Sequence, residues 1–165
     1  MTGQSPSGVP AIDDWNRLLA GRVAVVTGGG DGIGGAIATL FAEHGAVVEI
    51  AEVDPAQGEA AVAAITDAGG IARAHPVDVR QADDVARLRS VVLDQHGRID
   101  VLVNNVGDYR PFVPFVRSGA DSWQGMYDIN LGHLFAVTQA FLQPMIDGGG
   151  GSIVNVHSVE GMRGY

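Results

Sequence analysis

An apolar run, Val23-Ala24-Val25-Val26, leads directly into Thr27-Gly28-Gly29-Gly30-Asp31-Gly32-Ile33-Gly34. After it, Ile33, Ile37, Leu40 and Phe41 recur at the spacing of one helix face. A buried strand that turns through glycines into a helix leaves few folds open. The first-turn N–H groups of that helix have no intrahelical partner, and its dipole favours negative charge at the same end. Residues without side chains let a pyrophosphate come close to the backbone. The implied ligand is a dinucleotide, and the implied chemistry is redox.

The rest of the chain repeats the alternation. Strands are predicted at 23–27, 47–51, 71–77, 99–104 and 153–156. Helices are predicted at 32–44, 55–68, 83–96 and 121–146. Asp54 is the expected N-cap of the second helix, with Pro55 at its first position and Gly69 as its stop. Val85, Leu88 and Val92 are the expected inward face of the third. Asp121 is the expected cap of the fourth, whose apolar positions include Trp123, Met126, Tyr127, Leu134, Phe141 and Met145. Short apolar strands separated by helices predict α/β architecture, a doubly wound parallel sheet of Rossmann type. Residues 1–20, rich in Gly, Ser and Pro, read as a flexible arm before a domain at 21–165, with a short turn expected to pack Trp15 and Leu18.

Composition excludes several function classes. A net charge of −9 with only 10 Lys+Arg, scattered along the chain, argues against a nucleic-acid surface. The apolar runs are strand-sized, so no membrane span is expected. Met1-Thr2-Gly3-Gln4-Ser5-Pro6 has neither a basic start nor an apolar stretch, so no signal peptide is expected and the cytoplasm is the expected location. Without cysteine there is no disulfide, thiolate metal site or cysteine nucleophile. The histidines and carboxylates show no metal-ligand spacing such as H-E-x-x-H, and no metal is expected.

Two registers of the glycine motif compete. Gly30, Gly32 and Gly35 satisfy G-x-G-x-x-G, whereas Gly28, Gly32 and Gly34 satisfy T-G-x-x-x-G-I-G. The first glycine should follow the strand at once, which favours Gly28. In that register, from Leu19 to Tyr165, the chain resembles the short-chain dehydrogenase/reductase family. The resemblance implies a cofactor site of Gly28, Asp31, Gly32, Ile33 and Gly34. Glu52 stands where the family carries the acid that binds the adenosine ribose, and a turn or helix-cap role is its bland alternative. Acids at 31 and 52, where a 2′-phosphate would need a cation, favour NAD and disfavour NADP. Asp78-Val79 matches the family's residues near the adenine. Asn104-Asn105-Val106-Gly107 resembles N-N-A-G, so Asn105 and Gly107 are expected to line the cofactor and Asn104 to brace the sheet.

The family's catalytic tetrad is Asn, Ser, Tyr and Lys. Asn130 matches the Asn that fixes a water in a proton relay, with a structural role at a helix distortion as its alternative. Ser158 matches the Ser that hydrogen-bonds the substrate oxygen. Tyr165 comes too soon after Ser158 to be the family's Tyr, and no Lys follows it. His157 beside Ser158 is read as a packing or exposed residue. Tyr109, Arg110 and Phe112 stand where loop residues vary with substrate and do not identify it.

The resemblance thus implies NAD-linked interconversion of a secondary alcohol and a carbonyl on a small-molecule substrate, by a homo-oligomer (dimer or tetramer) in full-length form. The rival expectation is a C-terminally truncated, inactive fragment that keeps only partial nucleotide binding. Epimerase or dehydratase work ranks lower, because such relatives usually have a shorter glycine spacing.

Overall fold

The structure, a computed structural model, describes residues 14–159. Most of the expected arm, Asp13 of the expected N-terminal turn, and Tyr165 lie outside the described residues. Trp15 and Leu18, expected to pack, are exposed, and Leu19 packs against the core instead.

Five strands form one parallel sheet in the order β3-β2-β1-β4-β5. They are β1 (Val23–Thr27), β2 (Val47–Glu52), β3 (Ile71–Pro76), β4 (Val101–Asn104) and β5 (Ser152–Asn155). Helices α1 (Gly32–Glu43) and α2 (Pro55–Asp67) cover one face, against Ala24, Val26, Val48, Ile50, Val101 and Val103. Helices α3 (Ala82–His96) and α5 (His133–Asp147) cover the other, against Val23, Val25, Ala51 and Leu102. Alternation along each strand sends successive side chains to opposite helix layers, so the inner strands are apolar throughout. Element boundaries fall within about two residues of those predicted from sequence, the ordinary scatter of helix and strand ends.

Two further expectations need correction. The buried face of α1 is Gly34, Ala38 and Ala42, flanked by partly buried Ile37 and Phe41, whereas Ile33 and Leu40 are exposed. Small residues let the helix axis lie close to the sheet, and the larger side chains are turned outward. The predicted helix 121–146 is α4 (Ala120–Tyr127), a π-helical turn over Asp128–Gly132, and α5. Its N-cap is Gly119 rather than Asp121, which sits in the first turn. Phe141 and Met145 are core, while Trp123 stacks on Phe115 with ring centroids 5.9 Å apart.

Among the described residues, one carboxylate has no exposed surface at all. Glu49, in the middle of β2, is fully buried on the α3 face. Its Oε1 accepts from Arg73 Nη1 (3.0 Å) and pairs with His96 Nε2 (2.6 Å), while Oε2 pairs with His75 Nε2 (2.5 Å). Burial opposes ionisation of this carboxyl, but the bonds from His75, His96 and Arg73 outweigh it and hold the pKa below the usual glutamate value. The cluster ties edge strand β3 and the end of α3 to β2. Among the described residues, no group of three or more His, Cys, Asp and Glu is placed to hold a metal ion. Among them, no helix is long and apolar enough to cross a membrane.

Candidate functional site

The carboxyl ends of β1, β2, β3 and β4 meet at one corner, and Thr27 stitches it together. Its Oγ1 donates to Val103 O (3.3 Å) and accepts from the amides of Asn105 (3.0 Å) and Val106 (3.4 Å). Asn105 returns the tie: Nδ2 donates to Thr27 O (3.0 Å) and Gly28 O (3.2 Å). The turn between β1 and α1 is therefore fixed from β4.

Gly28 and Gly34 are both required by the geometry of this turn. Gly28 takes φ +62°, in the left-handed region, and donates its amide to Ala51 O at 2.7 Å. A Cβ on Gly34 would stand 2.0 Å from Gly28 O and 2.5 Å from Asn105 Nδ2. No side chain fits there, so the first turn of α1 lies directly on the strand exit. Asp31 occupies the N-cap of α1 with extended backbone, yet its side chain caps nothing. The first amides of the helix are left to another acceptor.

Glu52, at the end of β2, is buried and held at both oxygens. Oε2 accepts from Gly30 N (3.1 Å) and Oε1 from Asp54 N (3.2 Å). The carboxylate thus serves the turn, while each oxygen keeps a further lone pair for a ligand. Next door Asp54 caps α2 as expected, accepting from Ala56 N at 2.9 Å.

A cavity of about 540 Å³ opens over this corner. It brings together Gly28, Asp31, Gly32 and Glu52 from the first half of the motif set, with Asp78, Val79, Asn105 and Gly107 from the second. A volume of this size suits a cofactor. Ile33 and Gly34 do not line it: Ile33 is exposed and Gly34 is buried beneath the turn. Asn130 and Ser158 are likewise outside its walls, though Ile129 contributes.

Asn130 stands inside the π turn. Its Nδ2 donates to Met126 O (3.0 Å) and Asp108 O (2.8 Å), and its Oδ1 accepts from Asp108 N (3.1 Å). It therefore bonds the loop after β4 to the point where the long helix widens. Such π turns inside α-helices concentrate at functional sites. One turn on, the buried His133 approaches Val106 O through Nε2 at 3.0 Å. Burial, working against carbonyl contacts from Val106 and Ile129, lowers its pKa, and the ring N–H donates to the Val106 carbonyl. Asn104 donates from Nδ2 to Thr138 Oγ1 (3.1 Å) and Asn155 Oδ1 (2.9 Å), linking β4 to α5 and β5. Ser158 lies three residues past β5 and is exposed, as is His157.

Two features of the cavity were missed from sequence, Arg80 and the clamp that holds Arg110. Both lie in Asp-x-Arg segments, Asp78-Val79-Arg80 and Asp108-Tyr109-Arg110, with the same internal geometry. In each, Asp Oδ1 accepts from the Arg backbone N (3.0 Å in both) and Nε (2.9 Å in both), and Oδ2 accepts from Nη2. The Arg110 side-chain bond, with help from its backbone amide, pulls the Asp108 pKa down to about 2. Asp78 is lowered by the corresponding bond from Arg80. The repeated D-x-R spacing, each time just past a strand, was the available signal.

Fold and corner together define the class, a doubly wound parallel α/β protein with a glycine turn at its first strand exit. The chain belongs to the short chain dehydrogenase family, whose model matches residues 22–165. It is 40% identical over 150 residues to the 3-oxoacyl-[acyl-carrier-protein] reductase FabG of Chlamydia muridarum, covering 90% of this chain and 60% of that protein. It is 37% identical over 162 residues to (+)-borneol dehydrogenase 2 of Salvia officinalis, covering 98% of this chain and 55% of that one. Among solved structures, a 7 alpha-hydroxysteroid dehydrogenase complexed with NADH and 7-oxo glycochenodeoxycholic acid superposes with TM-score 0.85 at 30% identity. That match covers 91% of this chain and 58% of the other. A metagenomic short-chain oxidoreductase in complex with NADP gives TM-score 0.83 at 36% identity, over 89% and 66% of the two chains. The chain thus spans 55–60% of the length of these two curated relatives.

Proposed function

We propose that this chain is the dinucleotide-binding part of an oxidoreductase that takes NAD in preference to NADP and interconverts a secondary alcohol and a carbonyl. The observation that carries the reading is the β1–α1 corner, where an uncapped helix N-terminus faces a cofactor-sized cavity walled by Glu52. The bound nicotinamide supplies the hydride chemistry. The protein's own groups bind and orient. Amides of the turn meet the diphosphate, and Gly34 and Ile33 set the helix end that presents them. Glu52 accepts from the ribose hydroxyls and repels a 2′-phosphate, with Asp31 adding charge of the same sign. Asp78, Val79, Asn105 and Gly107 form the remaining wall. Asn130 and Ser158 serve the reacting oxygen, Ser158 by a hydrogen bond and Asn130 by holding the loop beside it and a water. One solved relative holds NADH and another NADP, so the choice rests on the two acids of this chain.

The same reading makes the protein cytoplasmic and oligomeric. Exposed Phe135, Leu142 and Ile146 on α5 form the face through which copies would pair. A second reading, nucleotide binding without turnover, applies to these 165 residues taken alone, which contain no lysine. The ammonium that would lower a catalytic tyrosine's pKa is not among them. Fluorescence titration separates the claims. The chain is expected to bind NADH at least about tenfold more tightly than NADPH and to form no NADH from alcohols. Equal affinities would remove the role given to Glu52, and turnover by these residues would overturn the second reading.

A further inference from the structure

The cavity continues from Glu52 past Val53 and Asp54 to Val77–Arg80 at the exit of edge strand β3. With a diphosphate at the β1–α1 turn and ribose hydroxyls on Glu52, the strand order β3-β2-β1 carries the attached base to this end. The group there is Arg80. Its guanidinium is fixed in a plane by two side-chain bonds to Asp78, Nε to Oδ1 (2.9 Å) and Nη2 to Oδ2 (2.7 Å). Asp78 is itself anchored, since its amide donates to Asp84 Oδ2 (2.9 Å) and its carbonyl accepts from Gln81 N (2.8 Å). Half of the Arg80 side chain remains exposed, and it lines the cavity. A flat cation whose rotamer is already locked loses little entropy on meeting a ligand. Its charge is balanced by Asp78, so it is a poor site for a further anion, whereas its face remains available to a planar π system.

We propose that Arg80 is a specificity-determining residue that covers the purine of the dinucleotide, its guanidinium held flat by Asp78 for stacking. The proposal rests on the dinucleotide reading above. The contact is made by shape and delocalised charge, so lysine cannot replace arginine there.

The test compares NADH with reduced nicotinamide mononucleotide, which lacks the adenosine half, on wild type, Arg80→Ala and Arg80→Lys, with thermal melts confirming that each variant folds. Both variants are expected to weaken NADH binding by about tenfold while changing mononucleotide affinity less than about twofold. Full rescue by Arg80→Lys would show that charge alone matters and would overturn the stacking role. Loss of NADPH binding with NADH unaffected would reassign Arg80 to a 2′-phosphate and equally overturn it. Wild type that binds NADH as well as both variants do removes Arg80 from the site but leaves the dinucleotide reading standing. Wild type that binds no NADH overturns both.

Discussion

The helices α1 and α2 start alike and end their first turns differently. Each follows a strand of the central sheet, and each has an aspartate with extended backbone at its N-cap. Asp54 does what an N-cap does, accepting from Ala56 N. Asp31 does not, although its residue type and backbone would allow it. Its helix packs onto the strand exit through Gly34 and opens on the cavity. A side chain caps one helix, and the other has no side-chain cap where it meets the cavity. Glu52 links the two corners, with one oxygen on Gly30 N and the other on Asp54 N.

Gly34→Ala attacks the open corner most severely. Its methyl would meet a backbone carbonyl, so the helix must move off the turn. A loss of about 3 kcal/mol in stability is expected, together with loss of measurable NADH binding, from denaturant melts and titration. The same substitution with stability and binding intact would mean that the close approach is not needed.

Glu49→Ala sharpens the comparison by loosening β2 itself, the strand that carries Glu52. About 2 kcal/mol is expected, since the partners keep some access to water. The folded-state pKa of Glu49 is depressed, so its contribution is present above the unfolded-state value and is lost as pH falls through the folded one. Wild type should therefore lose stability relative to Glu49→Ala below the normal carboxylate range. A difference between the two that is flat with pH would contradict this.

Asp54→Ala should cost about 1 kcal/mol in denaturant melts, the usual value of a lost N-cap. Asp31→Ala is the smallest effect. With no cap bond to lose, it should cost less than about 0.5 kcal/mol and should tighten NADPH more than NADH. Equal costs for the two aspartates would erase the contrast between the corners.

Much of this was readable from residue order. The run into Thr27–Gly34, the alternation of strands and helices, the Asp54 cap and the inward face of α3 all follow from local chemistry and periodicity. What was not readable depends on contacts between distant segments. Ile33 and Leu40 have the spacing of a buried face, but α1 approaches the sheet through small residues and turns them outward. Glu49 interrupts an otherwise apolar strand, and its partners His75 and His96 come from two other elements. A helix distortion at Asn130 was an alternative reading of that residue, but the π turn at Asp128–Gly132 leaves no periodicity break in so short a stretch, and only the bonds of Asn130 to Asp108 explain what it positions. Asn105 was expected to line the cofactor, and it lies in the cavity wall; that it also braces the turn shows only in its bonds to Thr27 and Gly28.

The most direct measurement is an amide-resolved NMR titration of the chain with NADH. The expected result is that the backbone amides of Gly29, Asp31, Gly32 and Ile33 shift together and saturate, while that of Ala56, already bonded to Asp54, stays in place. Saturable NADH binding that leaves the four turn amides unmoved would contradict the assignment of the diphosphate to the β1–α1 corner.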